Sequence, residues 1–385
     1  MIAVTDKRKC CGCEACAQIC PRKCIKMEED KEGFLYPSVD KSKCVECHLC
    51  ETVCQYQRQN RYEFTPKTAF CFVNNDQAIR EKSSSGGAFF CLAKQIIEQN
   101  GVVFGAKFDE KWNVFLASAE TLLQCESFWG SKYVQARVNG SFSEVKKLLE
   151  NGKKVLFSGT PCQVNGLKHF LKKEYENLLT VDFTCHAVPS PKIWRKYLSC
   201  FSKKKLISNI SFRDKKVAGW NDYGLTIKSA TDSLISQGNS KNLYMRGFLR
   251  YLYCRPSCSN CVSRSFQSQS DIMIGDFWRV EKYHSEKILN DNKGVSLIIP
   301  LSEKGARIVR HLSMYGYLKE VPISEAEMYG VHDCIIKSAP QHPFRKIFFL
   351  LDGIGLYLPF NIWICIEPLK RFSSIAHKIY RILKR

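Results

Sequence analysis

Eight of the 21 cysteines fall into two copies of one spacing, Cys10-x2-Cys13-x2-Cys16-x3-Cys20-Pro21 and Cys44-x2-Cys47-x2-Cys50-x3-Cys54. Three thiolates two residues apart can wrap a tight loop around one iron-sulfur cube, and the fourth ligand crosses over from the other run. The spacing therefore assigns Cys10, Cys13, Cys16 and Cys54 to one [4Fe–4S] cluster and Cys20, Cys44, Cys47 and Cys50 to a second. Clusters of this kind move single electrons. Cys-x2-Cys also suits zinc, but zinc sites rarely come as two matching quartets with the x3 extension. Gln55 follows the second run where Pro21 follows the first. Cys11 and Cys24 lie outside the pattern and read as spare thiols, and His48 reads as a surface residue.

A second group of residues points to an anion. Ser83-Ser84-Ser85-Gly86-Gly87 precedes a stretch with apolar residues at helical spacing that ends at Asn100-Gly101. A turn of this kind opening a helix presents free N–H groups and the positive end of the helix dipole to a phosphate, although serines also cap helices for structural reasons alone. Further on, residues 154–158 and 178–184 read as buried strands that run into Cys162 and Cys185. Both thiols then sit at the C-terminal ends of parallel strands, the edge at which open α/β sheets bind ligands. Cys258-x2-Cys261 adds a pair in a loop, and residues 271–278 and 294–299 read as further strands. No G-x-G-x-x-G turn is present, so a Rossmann site for NAD has no support.

These residues need a scaffold, and 385 residues suffice for two or three domains. The reading is α+β and α/β: a small bacterial-type two-cluster ferredoxin domain at 1–57, then a mixed α/β body. Residues 57–67 are polar and read as a linker. The first ten residues hold no apolar stretch, and many thiols without a secretion signal point to a reducing, cytoplasmic setting with metal in place of disulfides. The net charge of +21 invites a nucleic-acid reading. Each cluster with its four thiolates carries about −2, however, so three clusters offset roughly six charges. The lysines are also spread along the chain, which favours acidic partners, an anionic cofactor or a membrane face over nucleic acid. Residues 347–366 are apolar but interrupted by Asp352, Pro359 and Asn361, which leaves them marginal as a spanning helix. Residues 368–385 are basic with apolar residues at helical spacing. They suit either an interfacial helix at the inner membrane face or a helix docked on the body.

The paired runs, followed in order by SSSGG, GSKYVQA, FSGTPCQVNGL, VDFTCHAVPSP, FRDKKVAGW, RPSCSNC and DIMIGDFW, resemble the coenzyme F420 hydrogenase/dehydrogenase beta-subunit family over residues 1–320. The resemblance implies an iron-sulfur flavoprotein with FAD or FMN and a third [4Fe–4S] cluster. It divides the chain into 1–57, a flavin-binding region at 58–150, a catalytic region with the third cluster at 151–340, and a tail at 341–385. It places Ser83, Ser84, Ser85, Gly86 and Gly87 near the flavin phosphates and Ser131, Lys132, Tyr133 and Gln135 near the flavin ring. Cys162, Cys185, Cys258 and Cys261 lie in its motifs and are the implied third quartet. Cys254 competes but falls where the family has an apolar residue. His186, Lys132 and Asp276 are the implied catalytic residues, with ordinary structural roles open for His186 and Asp276. The family pattern has glycine after the tryptophan, where this chain has Arg279. Cys71, Cys91, Cys125, Cys200, Cys334 and Cys365 read as buried free thiols.

The expected function is oxidoreduction: hydride exchange at a flavin, with coenzyme F420 as the substrate type, coupled to one-electron transfer through the clusters to a redox partner protein or ferredoxin. A non-catalytic electron-transfer subunit and a zinc-stabilised nucleic-acid binder are the competing readings.

Overall fold

The computed structural model describes residues 1–57, 64–202, 205–324 and 333–353. The N-terminal unit is built twice from one local pattern. Helices α1 (Ala15–Ile19) and α2 (Leu49–Thr52) both start from a left-handed residue, Glu14 at φ 61° and His48 at φ 58°. Each turns the chain out of its Cys-x2-Cys loop. Strands β1 (Ile25–Glu29) and β2 (Leu35–Val39) form an antiparallel hairpin between them, with Ile25 opposite Val39.

The body follows in the order β3 (Thr68–Asn74), α3 (Gln77–Lys82), α4 (Ala88–Ile97), β4 (Val102–Phe108), β5 (Val114–Ala119), α5 (Leu122–Cys125), α6 (Ser141–Glu150), β6 (Val155–Gly159), α7 (Pro161–Leu171), β7 (Leu178–Phe183) and α8 (Pro191–Ser202). Then come β8 (Ile207–Asp214), β9 (Gly224–Ser229), β10 (Ser233–Gly238), α9 (Leu243–Leu249), β11 (Ile272–Asp276), β12 (Ser296–Pro300), α10 (Glu303–Arg310) and β13 (Gly316–Pro322). The chain is thus a small N-terminal α+β domain on a mixed α/β body, as the spacing and strand pattern suggest.

The central sheet has eight strands in the order β13-β3-β12-β11-β7-β6-β4-β5. Its middle is parallel, with β4, β6, β7 and β11 aligned, and its flanks are antiparallel. Side chains alternate across it. Phe70 and Phe72 of β3 pack with Leu92 and Ile96 of α4 and Val309 of α10. Cys71 and Val73 point the other way, toward Trp220 and Phe277. Val102 and Phe104 of β4 pack with Phe142 of α6 and Phe170 of α7. A separate antiparallel sheet, β10-β9-β8, packs Phe212 and Leu225 against Trp194 of α8 and Tyr244 of α9. Trp194 is fully buried and its Nε1–H donates to Trp112 O at 2.8 Å.

The strands read at 154–158 and 178–184 are β6 and β7, and they pair in parallel. Cys200 departs from the expectation of a buried thiol: it is exposed near the end of α8. Cys71, Cys91, Cys125 and Cys334 are buried. Cys365, the segment 354–366 and the basic stretch 368–385 lie outside the described residues. Asp352, near the end of the Arg345–Gly353 helix, pairs with Lys192 at 2.8 Å and with Lys196, which ties that helix to α8. Among the described residues no helix is long and apolar enough to cross a membrane.

The N-terminal unit is seated on the body by specific contacts. Glu14 accepts the backbone N–H groups of Val138 and Asn139 at 2.8 and 3.1 Å, and Glu32 pairs with Arg345. Gly166 of α7 lets Cys13 approach: a Cβ there would stand 2.9 Å from Cys13 Cβ and 3.0 Å from its Sγ. Gly166→Val should therefore cost about 1–3 kcal/mol through overpacking. Faster proteolysis of the N-terminal unit, with the helix content of the body retained, is the expected result; an unchanged proteolysis rate would show that the close approach is not needed.

Candidate electron-transfer site

The first two quartets each surround their own cavity. Cys10, Cys13, Cys16 and Cys54 line one of about 110 Å³, with Cys11 beside them. Cys20, Cys44, Cys47 and Cys50 line a smaller one of about 20 Å³, with Cys24 beside them. The thiols stand around these spaces; among the described residues none converge as ligands of a single ion.

Of the third set, Cys162 and Cys185 line a common cavity, and Cys258 and Cys261 lie in and just after the short Pro256–Asn260 turn. Cys162 is the second residue of α7, directly after β6, and its Sγ lies 3.2 Å from Thr160 Oγ1. Cys185 follows β7, and the charges of Cys258, Cys162 and Cys261 all bear on its thiol. Burial raises the pKa of Cys185, and it pushes Cys258 up to about 12. Thiolates at Cys185 and Cys258 are therefore costly unless metal holds them deprotonated, whereas the hydrogen bond with Cys11 lowers Cys162 to about 7. The N–H of Val188 points at Cys258 Sγ from 3.4 Å. Cys254 instead faces Phe248 O at 3.9 Å, within the core around α8 and α9.

A cavity of about 350 Å³ joins Cys162 and Cys185 to the serine turn. Cys162 and Cys185 line one part of it, and Ser83, Ser84, Ser85 and Gly87 line another. Gly87, at φ 94°, starts α4 without a side-chain cap, so the first N–H groups of the helix have no intrahelical partner. The hydroxyls are engaged elsewhere: Ser83 donates to Ile79 O at 2.8 Å and Ser85 to Val295 O at 2.6 Å. Gly86 packs the turn against the sheet, where a Cβ would lie 2.2 Å from Phe72 O.

Ser84 connects the turn to the second predicted segment, accepting Ser131 N–H at 2.8 Å. Lys132 is half-buried, with Nζ donating to the carbonyls of Ser127, Trp129 and Gly130 at 2.9, 3.0 and 3.2 Å. Burial lowers its pKa to about 7. The Tyr133 hydroxyl meets Arg213 at 3.2 Å. Gln135 is turned toward the N-terminal unit, donating to Cys11 O at 3.1 Å.

His186 also lines the cavity. Its ring stacks on Tyr251 with centroids 4.2 Å apart. Nε2 reaches Leu249 O and Nδ1 reaches the Tyr251 hydroxyl, both at 3.2 Å. Burial drops its pKa to about 4, so the ring is neutral at pH 7. Asp276 accepts both Arg213 nitrogens at 2.7 and 2.8 Å and Trp220 Nε1–H at 2.7 Å. Arg279 is exposed at φ 62°, a conformation glycine adopts without strain.

Three residues at this site make bonds that no motif announces. Arg213, in FRDKKVAGW, donates to Ser84 O at 3.0 Å and lies 3.8 Å over the Tyr223 ring, so it fixes the serine turn to β8. Gln55 donates to Cys11 Sγ at 3.1 Å and to Cys162 O at 2.9 Å, joining the first quartet to the third. Arg255 reaches Cys10 from the body.

Residues 152–326 match the family that describes the C terminus of the coenzyme F420 hydrogenase/dehydrogenase beta chain, and residues 9–57 match a 4Fe-4S dicluster domain. The matches support that beta-subunit family over residues 152–326, with a 4Fe-4S dicluster domain in front of it. This is an iron-sulfur electron-transfer oxidoreductase family. A chain of the F420-reducing [NiFe] hydrogenase complex from Methanosarcina barkeri is similar at 16% identity and a TM-score of 0.45, over 77% of this chain and 92% of that one. No curated protein matches.

Two outcomes follow from this geometry. Asp276→Ala leaves Arg213 buried and unpaired, a loss of about 3–5 kcal/mol that a lowered thermal midpoint would reveal. Between pH 6.5 and 4 the unfolded chain binds a proton at His186 that the folded chain does not, so stability falls as pH is lowered through that window. His186→Gln should flatten that part of the profile; an unchanged slope would place the titration elsewhere.

Proposed function

We propose that the chain is an iron-sulfur flavoprotein oxidoreductase, with residues 58–150 and 151–340 forming the flavin and third-cluster regions behind the 1–57 ferredoxin unit. The observation that carries this reading is the single cavity in which the serine turn, the Gly130–Gln135 stretch, Cys162 and Cys185 meet. Its residues fit the groups assigned to them. The start of α4 would hold flavin phosphate through backbone N–H groups. Ser131 and Tyr133 would border the ring, with Lys132 holding their loop in shape. Cys162, Cys185, Cys258 and Cys261 would hold a [4Fe–4S] cluster beside it. Bound flavin supplies exchange of both hydride and single electrons. Neutral His186 shapes the loop after Cys185, and the Arg213–Asp276 pair fixes the far wall. Coenzyme F420 is the organic substrate to assay first.

The outer quartet is the proposed contact with a redox partner protein or ferredoxin. Cys47 is exposed there, beside Val45 at 59% exposure. Arg22, Lys23, Lys41 and Lys43 are exposed nearby in sequence, against Glu46 and against Asp40, which pairs with Lys43 at 3.3 Å; the remaining positive excess favours an acidic redox partner and not nucleic acid. The tail at 341–385 is proposed to add a peripheral contact with the inner membrane face in a cytoplasmic protein.

Anaerobic preparation should give about 12 iron atoms, matching sulfide and one flavin per chain, counting three cubanes. Cys258→Ser or Cys261→Ser should remove about four irons and spare the rest. Full iron without flavin would favour a plain electron-transfer role, and zinc without sulfide would overturn the account.

A further inference from the structure

Among the described residues five arginines are buried: Arg80, Arg213, Arg255, Arg264 and Arg345. Three have a carboxylate partner, namely Asp291 for Arg80, Asp276 for Arg213 and Glu32 for Arg345. Arg255 and Arg264 have none among their contacts, and these two lie against the proposed cluster ligands. Arg255 is 1% exposed. Its Nε donates to Cys10 O and one Nη to Leu35 O, both at 2.8 Å, and the other Nη donates to Gln135 Oε1 at 3.0 Å. The Nη on Leu35 also stands 3.7 Å from Cys10 Sγ, and the guanidinium lies 4.5 Å over the Tyr36 ring. Arg264 donates to the carbonyls of Cys185 and, at 3.0 Å, His186. The thiols that bear on its charge include Cys185, Cys261 and Cys258.

A buried guanidinium cannot lose its proton, and burying it without a counter-charge is strongly unfavourable. Carbonyls, an amide and an aromatic face ease that burden but carry no net charge. The thiolate clusters would carry it. We propose that Arg255 and Arg264 are built-in counter-cations, Arg255 for the cluster on Cys10, Cys13, Cys16 and Cys54 and Arg264 for the cluster on Cys162, Cys185, Cys258 and Cys261. Each raises the reduction potential of its own cluster. This rests on the cluster reading above. One electron from a reductant adds one negative charge to a cluster, and no bond is made or broken. A fixed cation at the ligands favours the more negative state, since charge and hydrogen bonding around the sulfurs set the potential. Arg255 also spans both parts of the molecule, because it precedes the Cys258 turn and binds Cys10 and Leu35 of the N-terminal unit.

The test is a stepwise dithionite titration of the anaerobic, fully loaded chain, followed by electron paramagnetic resonance, with iron counted in every sample. Arg255→Gln should lower one of three reduction equilibria at least tenfold, a 59 mV fall for a one-electron couple, and move the other two less, since its charge also reaches Cys162 and Cys258. Arg264→Gln should lower a different one. Arg255→Lys keeps the charge and should hold its cluster within about threefold of the parent equilibrium, less than half of that 59 mV step. Should Arg255→Gln shed four irons, the Lys variant decides. Full iron at the parent potential supports the charge role, and loss of the same irons overturns it. A full iron count with no potential moved in the Gln variants, or with Lys shifted as far as Gln, overturns the inference while leaving the clusters standing. A parent chain without three reducible clusters would instead overturn the underlying reading.

Discussion

Everything in this molecule depends on how closely the first thiol loop is pressed onto the end of β6. Cys11 lies in that contact, with Gln55 joining its sulfur to the Cys162 carbonyl and Gln135 holding its own carbonyl. Gly12, at φ 70°, sits where a Cβ would come 2.9 Å from Arg255. Gly166 opens the opposite side to Cys13. A dicluster domain on a flexible tether would meet the body only in passing. Here it is locked in by glycines, a buried amide and a buried guanidinium, so two sulfur sites share one packed boundary.

That boundary also orders the rest. The parallel middle of the sheet brings Cys162 and Cys185 to adjacent strand ends, because β6 and β7 pair directly. Antiparallel β12 brings Ser296 under the serine turn, where its hydroxyl accepts the Gly86 N–H at 3.0 Å. The Arg213–Asp276 pair then connects that turn to the second sheet. The cavity is therefore closed by elements far apart in sequence, each fixed by a polar contact that burial makes expensive to break.

The legible and illegible parts of the sequence divide along this line. The eight N-terminal thiols are legible because each loop is local and its spacing alone fixes the geometry. The helix after SSSGG and the strands before Cys162 and Cys185 are legible from periodicity and terminating residues. Strand β3 follows a polar stretch and escapes notice, although Phe70 and Phe72 bind the sheet to α4. The β8–β10 sheet escapes notice as well, since its outer strand β10 carries exposed Ser233, Ser236 and Gln237 and gives little apolar signal. Cys11 reads as a spare thiol and Gln55 as a small departure from proline. Their meaning comes from Cys162, more than 100 positions away, and no local pattern carries such a pairing. The family resemblance points to several residues that line the cavity, Ser84, Tyr133, Cys162 and Cys185 among them, but not to their bonds. Lys132, His186 and Asp276 are each hydrogen-bonded to protein partners.

The most direct test of the shared boundary is the magnetic interaction between reduced centres in the intact chain. Full reduction should give spectra in which the cluster on Cys10, Cys13, Cys16 and Cys54 is spin-coupled to the one on Cys162, Cys185, Cys258 and Cys261. That coupling should disappear in Cys261→Ser while the signals of the N-terminal unit remain. Three uncoupled signals in the parent chain, or coupling that survives the loss of Cys261, would contradict the account.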